Sequence, residues 1–151
     1  MTDRLKIFSI DPGTFTATLA DSCQAGMFMK ATGTTEITQT TAIDTADLIL
    51  VDRCDGAGDE DTCVGVSLAS GSDGDFIGIV TQGIFEFKTD STNGAILAGS
   101  TVQKSGTTDA YEIELYDAAD GAKIIGTALT PASADDEYAV VLMVMGGAIN
   151  A

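Results

Sequence analysis

The sequence predicts an all-β protein, a small antiparallel β-barrel or sandwich, and three observations carry that reading. The 151-residue chain holds 20 threonines and 17 glycines, the former β-branched strand formers and the latter markers of turns and bulges. Apolar and polar residues alternate with period two in Thr14-Phe15-Thr16-Ala17-Thr18-Leu19 and in Tyr111-Glu112-Ile113-Glu114-Leu115-Tyr116. Turn signals recur at short intervals: Asp11-Pro12-Gly13, Thr32-Gly33-Thr34, Asp55-Gly56, Asp73-Gly74, Asn93-Gly94, Ser105-Gly106 and Asp120-Gly121. Together they space out roughly ten short strands.

Taken in chain order, Lys6-Ile7-Phe8-Ser9-Ile10 alternates first, and the Pro12-Gly13 turn then leads into Thr14 to Leu19. Residues 1–24 are expected to be either an extended amino-terminal arm or the first hairpin, with the barrel domain at 25–151. Leu48 to Val51, Phe76 to Val80 and Ile84 to Phe87 are apolar on both faces, as is the final run, Tyr138 to Met145. Helical period survives only briefly, at Thr41 to Asp47 and Thr92 to Leu97.

A strand without a polar face needs cover on both sides. In Tyr138 to Met145, Met143 and Met145 share one face while Leu142 and Val144 share the other. Either the other half of the chain or a partner subunit covers it, and Tyr138, Val141, Met143 and Met145 are the expected subunit-interface residues. Aspartate at Val141 or Val144 is expected to unfold or disperse the protein.

Two short similarities allow two related β modules, at 25–70 and 98–145. Ala25-Gly26 before Met27 to Lys30 recurs as Ala98-Gly99 before Ser100 to Lys104, and Cys63-Val-Gly-Val-Ser-Leu68 recurs as Ile124-Ile-Gly-Thr-Ala-Leu129. The second copy is shorter by about a dozen residues. A glycine inside each second strand marks a bulge or a close backbone approach.

Charge and composition narrow the function. Twenty-three acidic residues against 7 basic ones give a net charge of −16, which repels phosphate backbones and anionic lipid, so neither nucleic acid nor a membrane is an expected partner. The chain has no histidine, which removes the commonest general base, the usual zinc ligand and every Ser-His or Cys-His dyad. No phosphate-binding loop or nucleophile elbow is present. An enzyme is not expected, nor a cofactor. Acidic residues crowd the loop holding Asp52, Asp55, Asp59, Glu60 and Asp61, and recur at Asp73, Asp75, Asp117 and Asp120. Such oxygen-rich loops suit either calcium or ordinary soluble turns, and none has the spacing of a known calcium loop.

Cys23, Cys54 and Cys63 make an odd set. Cys54 and Cys63 flank the acidic loop, where a disulfide across a hairpin and three small buried apolar side chains are alternative readings. No stretch in the first twenty residues has the apolar core of a secretory signal.

Residues Cys63 to Leu68, Ser72 to Phe87, Ile96 to Val102, Ile125 to Leu129 and the last strand, Glu137 to Met145, resemble the small β-barrel decoration (cement) proteins of tailed-phage heads, a family often mislabelled as a phage recombinase. The resemblance implies a non-enzymatic protein on the capsid surface of the virion. It would be a homotrimer clamping neighbouring copies of the major capsid protein. In that setting Leu5, Ile7, Phe8, Ile10 and Phe15 are candidate anchors of a capsid-binding arm. The alternative is the β-barrel module of a head fibre or surface adhesin whose acidic loops hold calcium.

Overall fold

A computed structural model of the chain describes residues 13–34, 36 and 49–145. Among them are ten strands: β1 (Thr14–Leu19), β2 (Phe28–Ala31), β3 (Leu50–Arg53), β4 (Cys63–Ser67), β5 (Phe76–Val80), β6 (Gln82–Thr89), β7 (Thr101–Lys104), β8 (Glu112–Leu115), β9 (Ile124–Ala128) and β10 (Tyr138–Val144). The only helical pieces among the described residues are single 3-10 turns at Asp59–Asp61 and Ala118–Asp120. The Thr92–Leu97 candidate is a turn and an isolated bridge, not a helix. The other helical candidate, Thr41–Asp47, lies outside the described residues, as does Lys6–Ile10.

The strands close into two five-stranded barrels, ordered β1-β3-β2-β4-β5 and β6-β8-β7-β9-β10 around their rings. Adding five to each strand number of the first ring gives the second. Neither ring is purely antiparallel, as the sequence reading had it: β1 pairs with β3, and β6 with β8, in parallel. The reason is parity. Up and down can alternate around a closed ring only when the strand number is even, so five strands require at least one parallel neighbour. Closure leaves no free sheet edge in either ring.

The repeat runs down to single hydrogen bonds. Gly26 N donates to Ser67 O at 2.8 Å and Gly99 N to Ala128 O at 2.7 Å. Met29 stands opposite Gly65 with a register shift at the next residue, and Val102 stands opposite Gly126 with the same shift. Lys30 therefore corresponds to Gln103, one place from the match that the sequence suggested. The turn before the last strand of each barrel also recurs, with Gly74 N on Leu19 O and Asp136 N on Thr89 O. Both turn residues have positive φ, 84° and 60°. Only the first is glycine, so this equivalence leaves no mark in the sequence. The first barrel's extra length lies mainly between β2 and β3 (residues 32–49 against 105–111), because the acidic 3-10 turn at Asp59–Asp61 has its counterpart at Ala118–Asp120.

Inside the first barrel, Ala17, Leu19, Cys23, Met29, Val51, Ile77 and Ile79 form one buried cluster, with Phe15 packed against it. A larger cluster fills the second barrel and runs into the first through Phe28, Cys54, Cys63, Val66 and Val80. Phe28 stacks on Phe87 across this seam, centroids 4.9 Å apart, a contact that adds direction to apolar burial. Phe28 N also donates to Ala110 O at 2.8 Å, Tyr111 Oη to Gln24 Oε1 at 2.7 Å and Lys123 Nζ to Cys63 O at 3.0 Å. With only Thr81 between β5 and β6, the two barrels pack through a shared core.

Candidate docking surface

The outward face of β6 and β10 is built by strict alternation. On β10, Ala139, Val141 and Met143 point into the barrel, each 0% exposed, while Tyr138, Leu142 and Val144 are 59%, 43% and 57% exposed. On β6, Phe85 and Phe87 point inward and Gln82, Ile84, Glu86 and Lys88 outward. The register sets Leu142 opposite Ile84, Val144 opposite Gln82 and Tyr138 opposite Lys88. Ile84, Leu142 and Val144 thus form a contiguous exposed apolar patch, with Leu129 exposed farther along, where its N–H donates to Val140 O. The first barrel carries a related pair, since Leu68 and Phe76 are exposed at positions corresponding to Leu129 and Tyr138. Isolated exposed apolar residues are common, but three on adjacent strands form a surface that water covers at a cost.

Of the expected interface residues, only Tyr138 faces outward. Val141, Met143 and Met145 are covered by their own barrel, so they stabilise the protomer and are not available to another subunit. Leu142 and Ile84 were the residues missed, and Val144, expected to unfold or disperse the protein as aspartate, is exposed instead of buried. The polar parity of Gln82, Glu86 and Lys88 marks the outer face of β6, but only the β6–β10 register transfers that face to β10. Among the arm residues, Phe15 lies in β1 and packs on the first barrel's core, whereas Leu5, Ile7, Phe8 and Ile10 lie outside the described residues.

Between the barrels, beside Tyr138, is a groove of about 420 Å³ lined by Gly26, Glu86, Phe87, Lys88, Asp109 and Tyr111. Lys88 Nζ holds Asp109 and Asp136 at 3.0 Å and Glu112 at 3.2 Å. Hydrogen bonds to Asp109, Asp136 and Glu112 push this ammonium well above the ordinary lysine range.

A second, acidic depression of about 360 Å³ holds Glu60, Asp90, Glu114 and Asp120. Most of its carboxylates already have donors. Asp90 accepts from Thr92 Oγ1 at 2.6 Å, Thr92 N at 2.9 Å and Ser105 Oγ at 2.7 Å. Gln103 Nε2 bridges Glu114 Oε1 and Asp120 Oδ2, which also accepts from Asn93. Among the described residues no group of three or more histidine, cysteine, aspartate or glutamate side chains is placed to hold a metal ion. Several other acidic residues serve turns and ion pairs. Asp59 accepts from Gly56 N and Lys30, Asp55 pairs with Arg53, Asp75 accepts from Ser72 N, and Asp117 caps Ala119 N.

Burial works against ionising Asp90, yet the hydrogen bonds from Thr92 and Ser105, with Lys104 nearby, hold its carboxyl below the ordinary 3.8. Burial pushes Glu114 the other way, above 4.5. A carboxyl depressed by folding contributes stability above its unfolded pKa and loses it as pH falls through the folded value. Asp90→Asn is therefore expected to cost about 2 kcal/mol at pH 7, with a deficit that shrinks in acid as the wild-type carboxyl takes up its proton and becomes neutral like the amide. Denaturant titrations at neutral and acid pH measure this, and a deficit that does not shrink in acid would count against a role for the charge.

Comparison with known proteins agrees with this architecture. A family described as phage cement protein matches residues 28–144, through the acidic loop and both barrels. No curated protein sequence matches the chain. Among solved structures, the head fibre gp8.5 N base of bacteriophage phi29 shares the fold, with a TM-score of 0.51 and 15% identity over 86% of this chain and 92% of that one.

Proposed function

Because the chain belongs to the phage cement protein family, we propose that it clamps neighbouring major capsid subunits through the exposed apolar face of β6 and β10. It decorates the outside of a phage head, and its place is the capsid surface of the virion. The family is structural, and its work is binding rather than turnover.

The observation that carries the proposed surface is the patch of Ile84, Leu142 and Val144, exposed on paired strands of a closed barrel. Since the ring has no free edge, docking uses side chains and not strand addition to the barrel. Tyr138 and Leu129 are left for contact between copies in a homotrimer at three-fold or quasi-three-fold positions, where the −16 charge disfavours any contact through acidic turns. Many weak sites repeated over one shell hold by avidity.

The test mixes purified protein with undecorated capsids and counts bound copies. Ile84→Asp and Leu142→Asp are expected to melt like wild type and to bind at least tenfold more weakly, as expected when a charge enters an apolar contact. Undiminished binding by either folded variant would overturn the proposed face.

Of the segment 1–24 expected as an arm or first hairpin, Thr14–Leu19 is β1 of the first ring, so the barrel begins before residue 25 and residues 1–12 alone enter as an arm, with Leu5, Ile7, Phe8 and Ile10 as anchors. Their alternation supports this part of the proposal. Trimming residues 1–12 should leave the melting temperature unchanged and weaken capsid binding. Trimming 1–20 instead removes β1, opens the first ring and is expected to unfold it. A chain lacking 1–12 that binds as tightly as wild type would exclude the arm.

A second reading, the base of a head fibre, draws on the fold shared with the phi29 protein. Electron microscopy of decorated particles separates the two, because a fibre base projects one column of density from its site whereas a clamp lies across capsid subunit boundaries. Calcium-holding loops belong to this second reading and predict a melting temperature that falls on adding a chelator.

A further inference from the structure

We infer that Cys54 and Cys63 form a dithiol site that a low-molecular-weight disulfide oxidises to an intrachain disulfide, locking the acidic loop between β3 and β4. Cys54 directly follows β3 and Cys63 opens β4, so the pair closes the 55–62 loop that carries the chain across β2, which lies between these two strands in the ring; they do not form the hairpin that the sequence suggested. Their sulfurs are 2.8 Å apart, with the residues 0% and 1% exposed. A disulfide needs a separation of about 2.05 Å, so bonding requires a closure of only about 0.8 Å.

The backbone around the pair is already held in place. Cys54 N donates to Phe28 O at 2.8 Å, Asp59 N to Gly56 O and Thr62 N to Asp59 O, both at 3.1 Å. Asp59 Oδ2 accepts from Lys30 Nζ and Gly56 N, each at 2.8 Å. Cys23 belongs to a different environment, the first barrel's interior, with its thiol on Ala69 O.

Two exchange steps balance the reaction. One cysteine loses its proton, and the thiolate attacks a sulfur of glutathione disulfide, releasing one glutathione thiolate, which takes up a proton. The second cysteine, deprotonated in turn, attacks the protein sulfur of the mixed disulfide and expels the second glutathione. Two protein thiols are oxidised by two electrons, and one small disulfide is reduced to two thiols.

Burial makes the native state slow to react. The neighbouring Cys63 thiol and desolvation push the Cys54 thiol far up, so little thiolate is present at neutral pH. Exchange then proceeds through opening of the 55–62 loop, where Asp55, Ala57, Gly58, Asp61 and Thr62 are exposed. A chain made in a reducing cytoplasm stays a dithiol, and the same chain in an oxidising medium becomes locked. The lock reaches the second barrel, because Lys123 binds this loop twice, Nζ on Cys63 O and N on Glu60 O.

The experiment incubates the reduced full-length protein with glutathione disulfide in mild denaturant, then unfolds and alkylates it. The expected product has one alkylatable thiol out of three, a mass lower by two hydrogens before alkylation and a peptide linking Cys54 to Cys63. Its melting temperature should rise by roughly 8 °C, the chain-entropy effect of closing so short a loop. Cys23→Ser should give the same linkage, and Cys54→Ser none. Three alkylatable thiols after exposure, or a linkage through Cys23, would overturn the assignment whether or not the protein binds capsids.

Discussion

Val141→Asp is expected to yield no folded protein, whereas Val144→Asp, three residues along the same strand, should fold and fail to decorate capsids. Val141 is 0% exposed inside the second barrel's core with Phe87, Ile113 and Met143. A carboxylate there has no cation or hydrogen-bond partner to replace water, and either its charge or its proton uptake costs about 4 kcal/mol. That approaches the low end of a typical domain's margin, about 5 to 15 kcal/mol, and overpacking of the closed ring adds to it. Val144 is 57% exposed and faces the other way, so an aspartate there keeps its water until a partner displaces it. Circular dichroism of the two purified chains, followed by capsid sedimentation of whichever folds, measures the contrast. A folded Val141→Asp, or a Val144→Asp that decorates normally, would contradict the assigned inner and outer faces of β10.

Gly126→Ala is the second large effect, expected to cost about 3 kcal/mol and roughly 9 °C in melting temperature. An ideal Cβ on Gly126 would stand 2.0 Å from Leu142 O and 2.9 Å from Met143 Cα, both backbone atoms of the paired strand β10. A side-chain rotamer change cannot relieve such an overlap, so β9 and β10 must separate where the ring closes. The matching Gly65 would set its Cβ 2.5 Å from Ile79 Cγ2 and 2.7 Å from Val80 O. Gly65→Ala should therefore destabilise the first barrel in the same way, though less, because part of its overlap is with a side chain. Gly74→Asp is the useful contrast: its site is open, and Asp136 already holds the equivalent left-handed position in the second barrel. A cost of only about 1–2 kcal/mol is expected there, the ordinary penalty of a side chain in the left-handed region. Calorimetry of the three variants ranks them, and a Gly126→Ala protein as stable as Gly74→Asp would refute the close approach.

How far the fold was legible depended on which physical signal a residue leaves in one dimension. Thr14 to Leu19 announced a strand because one face is apolar and the other is threonine, and it is β1. Gly65 and Gly126 announced the duplication because the same steric demand was met by the same residue twice. Asp136 concealed the next equivalence because an aspartate fills the place of Gly74. For the candidate surface, Tyr138 was found, Ile84 and Leu142 were not, and Val144 was not told apart from the buried Val141. A run apolar on both faces has no parity to read, and only pairing with β6 assigns one.

By itself, then, the sequence determined that this is a β protein of about ten short strands, punctuated by acidic turns and without histidine. These are local properties, set by backbone preference, period-two patterning and residue chemistry. Tertiary structure alone decided that the strands close as two rings of five, that each ring takes one parallel pair, that Val141 faces inward and Val144 outward, and that the Cys54 and Cys63 sulfurs meet. Each of these depends on which distant strand lies alongside or where two ends of a loop converge, a choice governed by ring closure and burial of the shared core.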